Sequence, residues 1–142
     1  MELAHPRLGK IQYQSLEVIK FPQGLPGFIQ LKKYLLIRSK DADPFVWLVS
    51  VDEPLASFPM VNPRLFQPDY HPAITTRDLT ELSINAPQSL LMYSIVTLHT
   101  SDYLQATANL SGPILINLEK QLGKQLVLLD DRYSTKHRIL TA

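Results

Sequence analysis

The sequence contains no cysteine, and this absence excludes several kinds of chemistry at once. Without thiols there can be no disulfide, no thiolate zinc site and no cysteine nucleophile. Excess charge is missing too, because 14 Lys and Arg balance 13 Asp and Glu, for a net charge of +1. A field this weak does not attract nucleic acid or an anionic membrane. The lack of cysteine fits a reducing compartment, and we expect a cytoplasmic protein.

Long apolar runs are also missing. The longest candidate, residues 90–98, reaches half of the roughly 18 residues that a membrane-spanning helix needs. The first 14 residues are polar and are broken by Pro6 and Gly9, unlike a secretory signal. We therefore expect a soluble protein that does not contact the membrane.

Catalytic motifs are absent as well. Two adjacent acidic pairs, Asp52-Glu53 and Asp130-Asp131, occur in turn-like surroundings, where both carboxylates usually face water. No serine lies in a G-x-S-x-G sequence. The histidines have no metal-ligand spacing, since they are scattered at His5, His71, His99 and His137. The sequence thus predicts no enzyme activity, no metal and no cofactor.

What is present is a series of short β-rich segments separated by Gly, Pro and Asn turns. At 142 residues, with 45% hydrophobic and 19% charged residues, one domain over residues 1–142 is expected. The pattern predicts a mostly β fold, a compact antiparallel β-barrel or sandwich with one short helix. The core is expected over residues 8–130, and residues 131–142 as a loose tail or a helix formed on a partner. The predicted strands cover residues 11–21, 31–39, 45–51, 55–61, 89–100, 103–110, 114–117 and 125–129.

Two local signals are specific. Pro59 lies in the second strand of a predicted hairpin, and proline has no N–H for the ladder, so an edge position or a bulge is expected there. Thr75 and Asp78 form a capping-box pattern, which predicts a helix over residues 76–82.

The connection after this hairpin is rich in proline, with Pro63, Pro68 and Pro72, and we expect it to be stiff and superficial. It carries two aromatic residues, Phe66 and Tyr70. Either these rings close one end of the barrel, or they anchor a partner, because aromatic side chains dominate interface energetics.

Four motifs then occur in order along the chain. They are FPQGLPGF (residues 21–28), PFVWLVS (44–50), NPRLFQPDY (62–70) and ANLSGPILIN (108–117), followed by Gly123, Gln125 and Tyr133. Together they resemble the flagellar assembly factor FliW family over roughly residues 8–135. The chain departs from the family pattern at Val49, Pro59, Asn62 and Gly112, where Gln, an apolar residue, Asp and Ala are usual.

This resemblance implies a β-barrel-like, non-enzymatic regulator of flagellum assembly that binds two proteins. One is the translational repressor CsrA, whose repression of flagellin synthesis is relieved. The other is flagellin, which captures the regulator in a chaperone-like partner switch. The expected partner-binding residues are Ser50, Phe58, Asn62, Phe66, Pro68, Asp69 and Tyr70.

Two other functions stay open at this point. A small-ligand or oligosaccharide-binding barrel would use Trp47, Tyr93 and Tyr103 to line a cavity. An RNA-binding small barrel would need a basic stripe with exposed aromatic residues, which the near-neutral charge argues against.

Overall fold

The computed structural model describes residues 1–85, 90–98 and 105–139. Most of its regular structure is β, with one α-helix, α1 (Thr76–Glu81), and two 3₁₀ turns, Ser15–Glu17 and Pro63–Leu65, among these residues. The strands are β1 (Glu2–His5), β2 (Gly9–Gln12), β3 (Ile19–Lys20), β4 (Lys33–Arg38), β5 (Val46–Ser50), β6 (Ser57–Val61), β7 (Leu90–Thr97), β8 (Thr107–Ala108), β9 (Ile114–Asn117), β10 (Leu122–Gln125) and β11 (His137–Arg138).

Seven of these strands close into a barrel. Their order is β7-β6-β5-β4-β3-β10-β9, and β9 pairs again with β7. Neighbouring strands are antiparallel, except that β10 meets β3 in parallel through Leu122 and Lys20. The predicted mostly β, barrel-like fold is therefore confirmed, with one parallel junction that the sequence did not predict.

The longest described strand, β7, joins three neighbours. It pairs with β9, β6 and β8 in turn. Tyr93 pairs with Ile114, and Val96 pairs with Ala108. The two positions are three residues apart on β7 but six residues apart on the facing chain. The facing chain therefore has three more residues than β7 here, and residues 109–113, within the ANLSGPILIN motif, form a bulge.

Buried side chains of the described residues pack together inside the barrel. Tyr93, one of the three residues of the ligand-binding alternative, packs within this core. The buried members of the cluster are Ile19, Phe21, Leu25, Tyr34, Val46, Leu48, Met60, Tyr93, Ile114 and Ile116. Every residue of β9 is buried, because α1 and its flanks cover the opposite face, where Leu115 packs with Leu82 and Leu126.

The short helix begins as the sequence predicts. The hydroxyl of Thr75 accepts the N–H of Asp78 at 3.1 Å, and a carboxylate oxygen of Asp78 accepts the N–H of Thr75 at 2.9 Å. At the other end, the buried Asn117 side chain donates to the carbonyl oxygen of Leu82 at 2.8 Å. Backbone N–H groups at the start of the helix are thus hydrogen-bonded by its own cap, and a carbonyl oxygen at its end is hydrogen-bonded by a side chain of the barrel wall.

The prediction of an edge position at Pro59 is confirmed for that residue. The ladder between β6 and β7 contains only Met60 and Val61, so β6 has no partner on its β7 side at Pro59. On its other side Pro59 pairs with Trp47 of β5. β6 is therefore an interior strand at Met60 and Val61, where it has a neighbour on both sides, and an edge strand in its first half.

The predicted last strand, residues 125–129, is wrong. The ladder with β9 uses residues 122–125, and beyond it Leu126 and Leu128 make single backbone bonds to Pro113 and Ser111. Their neighbours Val127 and Leu129 are exposed. The apolar alternation in this segment therefore does not belong to a continuous ladder.

The two ends of the chain also differ from expectation. The first strand, β1, was not predicted, and it pairs with β2 so that Leu3 and Ile11 cover Leu35 and Val49. Near the other end, β11 pairs with β8, so residues 131–139 are neither a helix nor detached from the body. Three of the predicted segments extend beyond the described residues, which omit 86–89, 99–104 and 140–142. They are the strands over residues 89–100 and 103–110 and the tail over residues 131–142.

Candidate protein interface

The proline-rich connection begins where β6 ends, and it bonds to itself. The side-chain oxygen of Asn62 accepts the N–H of Arg64 at 3.0 Å and caps the 3₁₀ turn that starts at Pro63. The Nε atom of Arg64 donates to the carbonyl oxygen of Tyr70 at 3.1 Å. These two bonds close residues 62–70 into one unit.

Tyr70 fastens this unit to the barrel. Its side chain is 1% exposed, and its hydroxyl donates to the carbonyl oxygen of Leu110 at 2.5 Å. Its ring meets Tyr133 edge-on, with ring centroids 4.8 Å apart. Burial, with a smaller contribution from Tyr133, raises the pKa of the Tyr70 hydroxyl, so this group remains a donor. Tyr70 therefore joins the connection, the bulge and the C-terminal segment.

Phe66 also turns towards the body. It is half-buried, stacks on His137 with ring centroids 5.7 Å apart, and packs on the cluster that contains Val61 and Val96. The sequence left two roles open for these aromatic rings, closing the barrel end or anchoring a partner. The Tyr70 ring closes the barrel end, and so does the buried part of the Phe66 ring.

The solvent-facing side of the connection consists of other residues. Leu65 is 60% exposed, and Pro68 and Asp69 are exposed beside it. The Gln67 side chain donates to a carboxylate oxygen of Asp69 at 2.8 Å and so orients that carboxylate. We call Asn62, Leu65, Pro68 and Asp69 the connection ridge.

The remaining two expected residues lie elsewhere. Ser50 is fully buried, and its hydroxyl accepts the N–H of Glu53 at 3.1 Å, which holds the turn after β5. Phe58 is half-buried on β6 and meets Phe28 edge-on at 5.3 Å. The structure thus brings together five of the seven expected residues, with Ser50 inside and Phe58 on a neighbouring surface. Their part in binding stays a prediction.

Sequence reasoning missed Leu65, Leu110 and His137. Leu65 carried a usable signal, because it is a further large apolar residue beside Phe66 in the NPRLFQPDY motif. The Leu110 carbonyl and the His137 ring carried none, since their contacts join segments far apart in sequence.

Residues within the family-like motifs have identifiable structural roles. Gly24 has φ +65°, and a Cβ there would lie 2.6 Å from the backbone of Ile29. Asn109 accepts the N–H groups of Ser111 and Gly112 at 3.0 and 2.9 Å, which shapes the bulge. These residues support the surfaces around them rather than present a reactive group.

A glycine in β10 has a packing role of the same kind. A Cβ at Gly123 would lie 2.3 Å from the ring of Phe21, which is fully buried. Phe21 therefore packs into the core, whereas Phe28 at the other end of its motif is 40% exposed.

The principal charged cluster of the described residues ties α1 to β10. Lys124 donates to a carboxylate oxygen of Asp78 at 2.7 Å and also to Glu81. Desolvation acts to raise the pKa of the Asp78 carboxyl, but hydrogen bonds from Lys124 and Thr75 outweigh it and lower the pKa. The same bonds raise the pKa of Lys124 against its own desolvation. Arg77 also pairs with Glu81 at 3.1 Å, so two cations balance the two carboxylates of the cluster.

Metal-binding and membrane-spanning features are both missing from the described residues. They contain no group of three or more His, Asp or Glu side chains placed to hold a metal ion. None of their helices is long and apolar enough to cross a membrane. Of the residues in the ligand-binding alternative, Trp47 lies outside the main core cluster, and Tyr103 lies outside the described residues.

The structure defines a small closed β-barrel protein with a surface connection fastened to the barrel end. A family model described as "FliW protein" matches residues 2–139. A curated "Flagellar assembly factor FliW" from Thermosipho africanus is 36% identical over 133 residues, which cover 94% of this chain and 92% of that protein. Another, from Caldanaerobacter subterraneus subsp. tengcongensis, is 39% identical over 141 residues, covering 99% and 93%.

A solved structure agrees with these relatives. The "Crystal structure of the flagellar assembly factor FliW" superposes with a TM-score of 0.93 at 33% identity, covering 100% of this chain and 99% of that one. The chain belongs to the FliW family of flagellar assembly factors. The resemblance in the four sequence motifs is therefore confirmed, and a role in flagellum assembly follows from it.

Proposed function

We propose that this chain is a non-enzymatic cytoplasmic regulator that binds the translational repressor CsrA and, alternatively, flagellin. Binding to CsrA relieves the repression of flagellin synthesis. Unassembled flagellin then captures the regulator in a chaperone-like manner and releases CsrA, so that synthesis follows assembly. Membership of the FliW family supports this proposal.

The observation that carries the proposed interface is the connection ridge. Its backbone is closed by the Asn62 and Arg64 hydrogen bonds and fastened by Tyr70, so little conformational entropy would be lost on binding. It presents one exposed leucine, Leu65, beside an oriented carboxylate at Asp69. In this proposal Phe66 supports the ridge, Pro68 belongs to its exposed surface, and Phe58 extends the contact surface. Tyr70 and Ser50 act by positioning, because they are buried.

The test is calorimetric titration of the purified protein with CsrA of the same organism and then with monomeric flagellin. We expect binding to each, with prior saturation by flagellin abolishing binding to CsrA. Binding to flagellin alone would remove the translational role from the proposal. Binding to neither would overturn it.

The interface is tested separately with two surface variants. Leu65→Ser should weaken partner binding by about 1–2 kcal/mol or more if this residue anchors the contact. The matched control is Leu129→Ser, because Leu129 is 95% exposed and lies outside the connection. Equal affinity of Leu65→Ser and wild type for both partners would show that the ridge is not the interface.

A further inference from the structure

An open groove lies where β6 and β7 separate. Its volume is about 440 Å³, and its lining includes His5, Arg7, Trp47, Leu55, Phe58 and Val96. Two leucines at its border are exposed, Leu55 by 74% and Leu98 by 44%. Apart from Phe58, the groove contains none of the residues that the proposed partner interface uses.

The groove exists because the barrel ladder is incomplete there. β6 pairs with β7 only at Met60 and Val61, whereas Val96 of β7 pairs with β8 on the other side of the strand. The first half of β6 therefore has side chains of β5 and β7 around it but no neighbouring strand on the β7 side. The β1–β2 hairpin forms the border nearest to His5 and Arg7.

The exposed strand edge in this groove cannot pair with an added strand. Pro59 has no N–H, and the N–H of Ser57 is already bonded to the carbonyl oxygen of Leu55 at 3.1 Å. An incoming strand would find hydrogen-bond acceptors but not the alternating donors that a ladder needs. A ligand in the groove must therefore be recognised through side chains.

The charge in the groove has one sign. The guanidinium of Arg7 lies over the ring of Trp47, with its carbon 6.0 Å from the ring centroid. In the described part of the chain, neither Arg7 nor any other lining residue has a carboxylate within ion-pair distance, and no lining residue is acidic. The Nδ1 atom of His5 accepts the N–H groups of Arg7 and Leu8, so the ring is neutral in this arrangement. The groove thus combines apolar walls with one cation that aromatic contact holds in place.

We propose that this groove binds an apolar segment of a partner polypeptide that carries a carboxylate beside its apolar side chains. The carboxylate pairs with Arg7, and the apolar side chains pack on Trp47, Phe58 and Leu55. Charge complementarity selects an acidic partner over a basic one. A polypeptide fits better than an enclosed small molecule, because the groove is open and its exposed leucines extend the apolar surface beyond it.

Fluorescence provides a direct readout, since Trp47 is the only tryptophan in the chain. The probes are the acetylated pentapeptide Ser-Leu-Leu-Phe-Leu as the free acid and the same peptide as its C-terminal amide. We expect a saturable change in Trp47 emission with the acid and at least tenfold weaker binding of the amide. Calorimetry with the same peptides checks the affinities independently.

Variants separate the charge from the apolar contact. Arg7→Gln should bring the affinity for the acid down to that for the amide, whereas Arg138→Gln, an exposed arginine elsewhere, should leave both unchanged. Leu55→Ser should weaken both peptides, and Leu129→Ser neither. Circular dichroism checks that each variant is folded.

Three results would overturn the proposal. They are the absence of saturable binding by either peptide, an equal affinity of Arg7→Gln and wild type for the acid, and binding of decanoate as tight as that of the acid peptide. The last result would make a fatty acid the occupant. Because the probes contain neither CsrA nor flagellin, these results are independent of the test of the proposed function.

Discussion

The hydroxyl of Tyr70 donates a 2.5 Å hydrogen bond to the carbonyl oxygen of Leu110, 40 residues further along the chain. Both residues are buried, with exposures of 1% and 2%. Leu110, which lies in the bulge, also donates its N–H to the carbonyl oxygen of Ser134 at 2.9 Å. Leu110 is therefore hydrogen-bonded both to the connection and to the C-terminal segment. The surface that we propose as a partner interface is therefore fixed from underneath.

Tyr70→Phe should destabilise the fold by about 1–3 kcal/mol, because it leaves the buried Leu110 carbonyl without its donor. The ring and its edge-on contact with Tyr133 remain, so the protein should still fold. Urea denaturation measures the change. Tyr13→Phe is the control, since Tyr13 is only half-buried, and it should change stability by less than about 0.5 kcal/mol. Equal stability of Tyr70→Phe and wild type would show that this bond contributes nothing.

Gly123→Ala should cost about 1–3 kcal/mol or more, because its Cβ would overlap the buried Phe21 ring at 2.3 Å. Adding Phe21→Leu gives the methyl group space, so the double variant should be less destabilised than the sum of the two single variants. Thermal and urea unfolding of all three proteins measure this coupling.

The control for this coupling is another glycine. Gly9 has φ +74°, and no atom lies within 4 Å of the position that a Cβ would occupy there, so Gly9→Ala should cost about 1–2 kcal/mol through backbone strain alone. Phe21→Leu should add to Gly9→Ala without any rescue. Additive costs for Gly123→Ala as well would rule out the proposed overlap.

Lys124→Met should destabilise the protein by about 1.5–3 kcal/mol, because it removes a charged hydrogen bond from the largely buried Asp78 carboxylate. Asp78→Asn combined with Lys124→Met should cost less than the sum of the single changes, since neither residue then leaves a charge unpaired. Urea titrations of this double-mutant cycle give the coupling energy.

Arg132→Met is the comparison for Lys124→Met. Arg132 pairs with Asp130 at 2.6 Å, but its side chain is 74% exposed, so solvent screens the pair and no measurable loss is expected. A coupling energy of zero between Lys124 and Asp78 would mean that this pair does not help to hold α1 to β10.

The sequence predicted those elements whose signals are local. The capping of α1 by Thr75 and Asp78 depends on residues three apart, and the β5–β6 hairpin depends on one short turn. The connection was located by its prolines, and five of its expected site residues lie together in the structure. These predictions needed no knowledge of which strands become neighbours.

The remaining features depend on tertiary contacts. Leu126 to Leu129 have the composition of a strand, yet the ladder with β9 ends at Gln125 because the bulge follows on the partner segment. The burial of Tyr70 is decided by Leu110 and Tyr133, neither of which is near it in sequence. Composition identified the aromatic residues of the connection but could not show which side they face.

His5 makes the stability of the fold depend on pH near neutrality. Its Nδ1 atom accepts the N–H groups of Arg7 and Leu8 at 3.1 and 3.0 Å, so the neutral ring carries its proton on Nε2, which lies 2.9 Å from the Ser57 hydroxyl. Burial, assisted by the charge of Arg7, lowers the pKa of His5 below its ordinary value of 6.5. The unfolded chain therefore takes up a proton first as the pH falls.

The stability contributed by neutral His5 should be complete above pH 6.5 and should decline as the pH falls from there through the lowered pKa of the folded state. His5→Gln has no such titration, so the difference between its unfolding free energy at pH 7.5 and at pH 5.5 should be smaller than in wild type. Urea denaturation at the two pH values measures this difference. His71→Gln, at an exposed histidine, should keep the wild-type dependence. If His5→Gln and wild type lose equal stability between these pH values, His5 protonation is not what weakens the fold.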